Sequence, residues 1–235
     1  MSIKAVLFDL DGTLLPMDPD VFIKAYFGGI SARLAPRGYE PKRFNDAIWK
    51  GTAAMVKNDG SMTNEEVFWA TFTGFFGENA RDDIPYFDAF YREDFDKVSD
   101  SCGFAPESAE IIKTLKKRGI RVALATNPIF PSIATEKRMA WAGLKPSDFE
   151  LYTTYENSRY CKPNPKYYID ILNELGLPAE ECLMVGNDVT EDMVAKTLGM
   201  KVFLLTDFII NKENKDISEY PHGGYAELKA FLEEI

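Results

Sequence analysis

Two aspartates follow an apolar segment near the start of the chain, in KAVLFDLDGTLLP at residues 4–16. Asp9 and Asp11 are two residues apart, so an extended backbone would present both carboxylates to one reaction centre. One carboxylate of such a pair can act as a nucleophile and the other as a general acid and base. The alternative is a solvated turn that closes a strand, with Gly12 supplying its unusual backbone angles. The other motifs of the chain decide between these interpretations.

A calcium-binding loop is another interpretation of the same segment. In DLDGTLLPMDPD, the residues Asp9, Asp11 and Asp20 stand near the ligand spacings of an EF-hand. Glycine, however, occupies the fourth position of this segment, whereas an EF-hand loop has it at the sixth. The segment also follows an apolar strand rather than a helix, so the calcium interpretation is not favoured.

Polar residues also end two further segments that are typical of buried strands. IRVALATN runs into Thr126 and Asn127, ECLMVGND runs into Asp188, and CKPNP places Lys162 just before a helix. Each residue has a structural alternative when it is taken alone, such as capping a strand or leading into a helix. Because ligands gather at the carboxyl ends of parallel strands, we expect these residues to converge with the two aspartates.

From residue 105 onwards, strand-like and helix-like segments alternate. Strands are predicted in IRVALATN, ECLMVGND and KVFLLTD, with a short one in LYTT, and residues 3–8 add another. Helices are predicted in PESAEIIKTLKKRG, PSIATEKRMAWAG, NPKYYIDILNELG and TEDMVAKTLG, and over residues 225–234. This alternation predicts an α/β fold, with a three-layer, doubly wound parallel sheet that helices cover on both faces.

Residues 17–101 interrupt the alternation, because they contain no convincing strand and helical spacing recurs along them. This segment holds more than half of the aromatic residues of the chain, and an aromatic stripe at helical spacing usually packs in a core. We predict that residues 17–101 form an inserted α-helical cap domain, whereas residues 1–16 and 102–235 form the sheet domain. Residues 211–224 are predicted to form a surface loop.

The composition restricts the partners and the location of the protein. A net charge of −10, from 37 acidic and 27 basic residues, argues against a nucleic-acid partner. No apolar stretch reaches the roughly 20 residues of a membrane span, and no signal-type segment opens the chain. Cys102, Cys161 and Cys182 suit neither a disulfide framework nor a zinc cluster. We expect a cytoplasmic monomer or weak dimer without a membrane partner, in which His222 is a surface or loop residue and takes no part in catalysis.

The motifs DLDGT, the threonine of LATN, KPNP and GNDVTED, in this order, resemble those of the haloacid dehalogenase superfamily of hydrolases and phosphatases. The insert after the first motif resembles that of the helical-cap members, and no substantial insert precedes LMVGND, so no second cap is expected. The resemblance implies a Rossmann-type core with a helical cap. It also implies a phosphomonoester hydrolase that acts on a small phosphorylated metabolite through an aspartyl-phosphate intermediate.

The resemblance implies a role for each residue that matches a motif. Asp9 would attack phosphorus, and Asp11 would protonate the leaving oxygen and then take a proton from the attacking water. Thr126 and Lys162 would hold the phosphoryl oxygens by a hydroxyl and a point charge, with Asn127 as a further substrate-binding residue.

Electrostatics adds a metal ion to this site. Two like charges about 4 Å apart repel by roughly 4 kcal/mol at an effective dielectric constant of about 20, and Lys162 cannot offset several such repulsions plus a phosphate. A hard divalent cation can, and ligands that are all oxygen favour Mg²⁺. The resemblance implies that the side chains of Asp9 and Asp188 and the backbone carbonyl of Asp11 bind this ion. Asp192, four residues beyond Asp188, would orient the site without binding the metal.

Several alternative functions remain open at this stage. Superfamily members that cleave carbon–halogen bonds depart from the DxD pattern, and phosphonate-cleaving members replace its second aspartate and use a cap lysine, so Asp11 favours phosphate esters. A phosphosugar mutase uses the same two aspartates and differs in what its cap admits. A non-catalytic binding protein would keep the fold without turnover. The motifs do not identify the substrate. The cap loops LAPRGYEPKRF and VKNDGSMTNEE are candidates for basic or polar contacts to it, although exposed arginines and lysines are usually only solvated.

Overall fold

The computed structural model describes residues 2–235, and it contains a five-stranded parallel sheet in the order β2-β1-β3-β4-β5. β1 is hydrogen-bonded to β2 on one side and to β3 on the other, so the strand that leads into Asp9 lies inside the sheet. The predicted parallel α/β fold is therefore confirmed. The strands are β1 (Ala5–Phe8), β2 (Arg121–Leu124), β3 (Cys182–Gly186), β4 (Lys201–Leu205) and β5 (His222–Gly223).

The α-helices fall into two groups along the chain. Four precede residue 102, and four alternate with the strands after it. They are α1 (Pro19–Leu34), α2 (Pro41–Val56), α3 (Asn64–Phe76), α4 (Ile84–Ala89), α5 (Pro106–Lys117), α6 (Ser132–Trp141), α7 (Pro165–Leu175) and α8 (Tyr225–Glu233).

Successive side chains of each inner strand enter two different apolar clusters, one on each face of the sheet. Val6 and Phe8 of β1 pack with residues of α5, α6 and α8. Ala5 and Leu7 pack with residues of α7. Burial of both faces explains why the strands are continuous apolar runs, and it gives the three layers that the sequence predicted.

Within residues 17–101, the regular secondary structure is entirely helical. Asp18 caps α1 by accepting hydrogen bonds from two backbone N–H groups, and Thr63 and Glu66 form a capping box at α3. Met17 and Cys102 form an antiparallel bridge, so the chain leaves the sheet and returns to it at adjacent points. The division into a sheet domain and a cap domain stays a prediction. The predicted boundary lies at this bridge between Met17 and Cys102.

Two local predictions are wrong. TEDMVAKTLG forms a short 3₁₀ helix, Met193–Leu198, instead of an α-helix, and Asp192 forms an ion pair instead of capping that helix. LYTT contributes only an isolated bridge between Tyr152 and Leu124.

Most of the segment at residues 211–224 is a surface loop, as predicted, and its end forms the short edge strand β5, which pairs with β4. His222 lies in this strand and is exposed, as expected for a surface histidine.

Within residues 2–235, we find no helix that is both long and apolar enough to cross a membrane. Cys102, Cys161 and Cys182 all carry free thiols. Cys161 and Cys182 are buried, as expected for cysteines that fill the core, and Cys102 is partly exposed.

Candidate active site

β1 leads directly into the loop that carries Asp9 and Asp11. The backbone N–H of Asp9 donates to the carbonyl of Val185 (2.9 Å), which ties this loop to β3. Gly12 has a φ of +80°, and a Cβ atom there would clash with the side-chain amide of Asn187. Position 12 therefore requires glycine, both for its backbone angle and for the close approach of the neighbouring loop.

Lys162 lies between two carboxylates in the interior. Its Nζ donates to Asp9 Oδ1 (2.8 Å) and to Asp192 Oδ1 (2.6 Å), and its side chain is 1% exposed. Burial alone would lower the pKa of Lys162, but Asp192 and Asp9 outweigh it and hold the pKa well above its usual value. Asp192 Oδ2 also accepts a hydrogen bond from the backbone N–H of Asp188 (2.9 Å). One buried lysine thus links the loops after β1 and β3.

Thr126 and Asn127 follow β2 and are held by different partners. The carbonyl of Thr126 accepts hydrogen bonds from the hydroxyl of Tyr167 (2.9 Å) and from Thr153 Oγ1 (2.6 Å). Asn127 Oδ1 accepts from the backbone N–H of Lys162 (3.2 Å), and Asn127 Nδ2 donates to a carboxylate oxygen of the loop after β3 (3.0 Å). The side chain of Asn127 therefore joins two loops, and its role in substrate binding stays a prediction.

Asp188 and Glu191 add two carboxylates after β3. Asp188 Oδ1 accepts hydrogen bonds from the backbone N–H groups of Thr190 (2.7 Å) and Glu191 (2.9 Å). These bonds fix the carboxylate of Asp188 and engage only one of its two oxygens. Glu191 receives the hydrogen bond from Asn127 Nδ2.

Burial dominates the electrostatics of these acids. It raises the pKa of Asp9 to about 7; Lys162 opposes this rise, and the carboxylates of Asp192 and Asp11 add to it. Burial likewise raises the pKa of Glu191 to about 7 against the opposing charge of Lys162. Several carboxylates are therefore held together where their negative charges are poorly solvated.

Arg138 of α6 pairs with Asp11 and was not predicted. Its side chain is 1% exposed, and one guanidinium nitrogen donates to Asp11 Oδ2. The guanidinium also donates to Thr135 Oγ1 (3.2 Å) and lies over the ring of Phe130, 4.5 Å from its centroid. Burial raises the pKa of Asp11, and the charge of Arg138 opposes that rise. Within residues 2–235, Asp11 Oδ1 is buried without a hydrogen-bond partner.

Asn187 and Glu191 of the GNDVTED motif also belong to the site, although the sequence predicted no role for them. Asn187 accepts a hydrogen bond from Thr13 Oγ1 (3.1 Å) and donates to the carbonyl of Phe208 (2.6 Å), and Glu191 accepts a hydrogen bond from Asn127.

A sequence signal existed for Arg138, because helical spacing from Ala134 places this arginine on the buried face of α6. A buried arginine needs a carboxylate partner, but its spacing does not say which one.

The predicted residues converge on one cavity of about 300 Å³. Lys162 lies just behind the wall of this cavity, bonded to Asp9. The loops at residues 34–44 and 56–66, named above as candidates for substrate contacts, do not line this cavity. The predicted residues that line the cavity are Asp9, Asp11, Thr126, Asn127, Asp188 and Asp192.

The aromatic stripe has two functions in the structure. Phe44, Phe72, Phe90 and Phe95 are fully buried, as predicted for core residues. Other apolar side chains of residues 17–101, from α1 to α4, line the cavity together with Ile129, Phe130 and Ile210 from the rest of the chain. The helical segment therefore covers the carboxyl ends of the strands.

Comparison with known proteins agrees with this geometry. Residues 3–199 match the haloacid dehalogenase-like hydrolase family. The chain is 24% identical over 199 residues to the pyrophosphatase PpaX of Bacillus velezensis, covering 85% of this chain and 81% of that protein. It is 28% identical over 201 residues to the phosphoglycolate phosphatase of Pectobacterium atrosepticum, covering 85% and 79%.

A solved structure shows the same fold over nearly the whole chain. The 2-haloacid dehalogenase of Pseudomonas syringae superposes with a TM-score of 0.67 and 17% identity, covering 99% of both chains. This similarity concerns the fold, whereas the family match spans the four motifs and strands β1, β2 and β3 of the sheet. The chain therefore belongs to the haloacid dehalogenase-like hydrolases.

Proposed function

We propose that the protein is a Mg²⁺-dependent phosphomonoester hydrolase that acts on a small phosphorylated metabolite through an aspartyl-phosphate on Asp9. The observation that carries this proposal is the juxtaposition of Asp9, Asp11 and Lys162 at the carboxyl end of β1, beside a cavity that can hold a small molecule. Similarity to a pyrophosphatase and to a phosphoglycolate phosphatase supports phosphoryl chemistry.

The reaction divides between the two aspartates of the first motif. An oxygen of Asp9 forms a bond to phosphorus while the bond from phosphorus to the leaving oxygen breaks, and Asp11 gives that oxygen its proton. Water then attacks the aspartyl-phosphate, Asp11 takes a proton from it, and inorganic phosphate leaves while the Asp9 carboxylate is restored. The hydroxyl of Thr126 lines the cavity, where it can bind a phosphoryl oxygen, and Lys162 acts through its charge beside Asp9.

The donors of this site fit a hard divalent cation. Asp9 Oδ2 has only a long contact with Thr13 Oγ1 (3.4 Å), and Asp188 uses one oxygen for its hydrogen bonds, so each acid has an oxygen to offer. Within residues 2–235, no three His, Cys, Asp or Glu side chains are close enough to bind a metal by themselves. Two carboxylates and the backbone carbonyl of Asp11 therefore form the donor set, and a bound Mg²⁺ would supply positive charge to the phosphoryl group.

We expect excess chelator to abolish phosphate release and Mg²⁺ to restore it, because buried carboxylates and a phosphate dianion repel one another without the ion. Asp188→Asn should shift the Mg²⁺ concentration for half-maximal activity upward by about 10- to 100-fold, since one of two anionic ligands is lost. The control is Asp46→Asn, which removes the same charge from an exposed position on α2. Full activity in excess chelator, or equal Mg²⁺ dependence of both variants, contradicts the proposed site.

Arg138 is expected to position Asp11 for proton transfer. Arg138→Lys keeps a positive charge but cannot reproduce the bonds of the guanidinium to Asp11 and Thr135. Turnover of an alkyl phosphate should fall by about 10- to 100-fold, because its leaving group needs the acid. Release of 4-nitrophenolate in the first step should change little, since that leaving group does not need protonation.

The control for this variant is Arg121→Lys, which alters a partly exposed arginine at the start of β2, the end of that strand remote from the site, where it pairs with Glu150. A purely structural role for Arg138 would reduce the rates for both leaving groups equally. Such an equal reduction would remove Arg138 from the mechanism.

A further inference from the structure

We infer that the site is built for phosphomonoesters whose leaving group is uncharged and largely apolar, an aromatic or cyclic aliphatic alcohol. This inference rests on the proposed phosphatase function and concerns the part of the substrate beyond the phosphoryl group. The observation that carries it is the composition of the part of the cavity wall that residues 17–101 supply.

Most of the wall supplied by the helical segment consists of hydrocarbon and aromatic surface. It includes side chains from α1, α2, α3 and α4, so the leaving group would be enclosed by apolar surface on several sides. Such surface favours a ligand that gives up little hydration when it enters. Representative wall residues are Phe22, Ile23, Ile48, Trp69 and Phe87.

The same segment supplies no positive charge to the cavity. Among residues 17–101, all of which the structure describes, Asp88 is the single charged residue of the wall, and it is an acid. Two arginines of this segment form ion pairs away from the cavity, Arg33 with Glu93 (2.7 Å) and Arg37 with Asp83 (2.8 Å). Arg92 pairs with Asp88 but does not itself line the cavity. A second carboxylate or phosphate on the substrate would enter this space without a partner, which is strongly unfavourable.

The helical segment supplies few polar groups to the wall, and among residues 2–235 Trp69 Nε1 is the one of them that is buried without a hydrogen-bond partner. The hydroxyls of Tyr26 and Tyr91 are hydrogen-bonded to each other (2.9 Å), and both residues are buried. Asp88 has Arg92 as an ion-pair partner one helical turn away (3.5 Å). The hydroxyls of a sugar would therefore lose hydrogen bonds to water and find few replacements.

Lys212 is the one lysine of the lining, and it comes from the loop after β4. It is exposed to solvent, so its charge at the cavity is screened. It does not provide the enclosed cation that an anionic leaving group would need.

The test compares esters that differ in the leaving group alone. Cyclohexylmethyl phosphate and glucose 6-phosphate share a six-membered ring and a CH₂–O–P linkage, and benzyl phosphate and 4-carboxybenzyl phosphate differ by one carboxylate. With Mg²⁺ present, we expect kcat/KM to be about 10- to 100-fold higher for the apolar member of each pair. Phosphoglycolate should be hydrolysed no better than 4-carboxybenzyl phosphate.

A variant inside the cavity tests the charge argument directly. Thr52 of α2 lines the cavity, and Ala53 beside it is exposed outside it. Thr52→Lys should reduce the preference for benzyl phosphate over 4-carboxybenzyl phosphate by about 10-fold, because it supplies the missing cation. Ala53→Lys, which adds the same charge to the same helix, should leave that preference unchanged.

The outcomes separate this inference from the proposed function. Absence of phosphate release from every ester, including 4-nitrophenyl phosphate, contradicts the phosphatase function itself. Release of phosphate with a preference for glucose 6-phosphate, 4-carboxybenzyl phosphate or phosphocholine upholds the phosphatase and overturns the apolar leaving group. An unchanged preference in a folded Thr52→Lys protein also overturns it.

Discussion

Asp9→Asn is expected to abolish turnover of every phosphate ester, whereas Asp11→Asn should still react once with an activated ester. Asparagine at position 9 has no nucleophilic carboxylate, so no covalent intermediate can form. Asparagine at position 11 leaves Asp9 intact but can neither protonate a leaving alkoxide nor activate water, effects worth about 10²- to 10⁴-fold each. With 4-nitrophenyl phosphate, Asp11→Asn should give a burst of phenolate and then stall as the aspartyl-phosphate hydrolyses slowly.

Mass spectrometry of acid-quenched protein checks this assignment by locating the phosphoryl group. We expect the label on Asp9 in the Asp11→Asn variant and no label in Asp9→Asn. Thermal unfolding of both variants serves as the folding control, because Lys162 keeps Asp192 as a partner when Asp9 is replaced. A label on position 11 in the unaltered protein, or near-normal turnover by Asp9→Asn, would show that the roles are wrong.

The sheet and the loops after its strands were predictable because their causes are local. A strand that is buried on both faces is an uninterrupted apolar run, so β1 and β3 are visible in the sequence without knowledge of their neighbours. The polar residues that end such strands must lie at one edge of a parallel sheet, which is where Asp9, Thr126 and Asp188 are found.

The partners of the site residues could not be predicted, because they depend on tertiary contacts. Asp11 and Arg138 are 127 positions apart, and only the docking of α6 brings the guanidinium to the carboxylate. The apolar cavity wall has a similar origin. Spacing identifies the buried side of each helix, but it cannot separate Phe72, which lies in the core, from Trp69, which also borders the cavity.

The failed helix prediction at residues 190–199 follows from the same limitation. The apolar spacing there suits an α-helix, but the segment contains Asp192, whose two carboxylate oxygens accept hydrogen bonds from Lys162 and from the backbone N–H of Asp188. Holding that side chain in the site fixes the backbone just before Met193–Leu198, which forms a 3₁₀ helix. The active site and the local structure are therefore specified together.

Lys162→Met is expected to reduce both stability and activity, and a second substitution separates the two effects. Removing the ammonium leaves the carboxylates of Asp9 and Asp192 buried without their cation, and breaking such a pair costs about 3–5 kcal/mol of unfolding free energy. Loss of the charge beside the phosphoryl group should also lower kcat by about 10²- to 10³-fold. Denaturant unfolding and initial rates measure the two losses independently.

The double variant Lys162→Met/Asp192→Asn removes one of the two buried negative charges that the single variant leaves without a cation. Asparagine at position 192 keeps an oxygen that can accept a hydrogen bond from the backbone N–H of Asp188. We expect it to recover a large part of the lost stability, because only the Asp9 carboxylate, which borders the cavity and can bind Mg²⁺, remains without the lysine. Its kcat should stay low, since no group replaces the ammonium at the phosphoryl site. If activity returns together with stability, Lys162 serves only to neutralise the buried acids, and charge stabilisation of the transferring phosphoryl group must come from the metal and from Thr126.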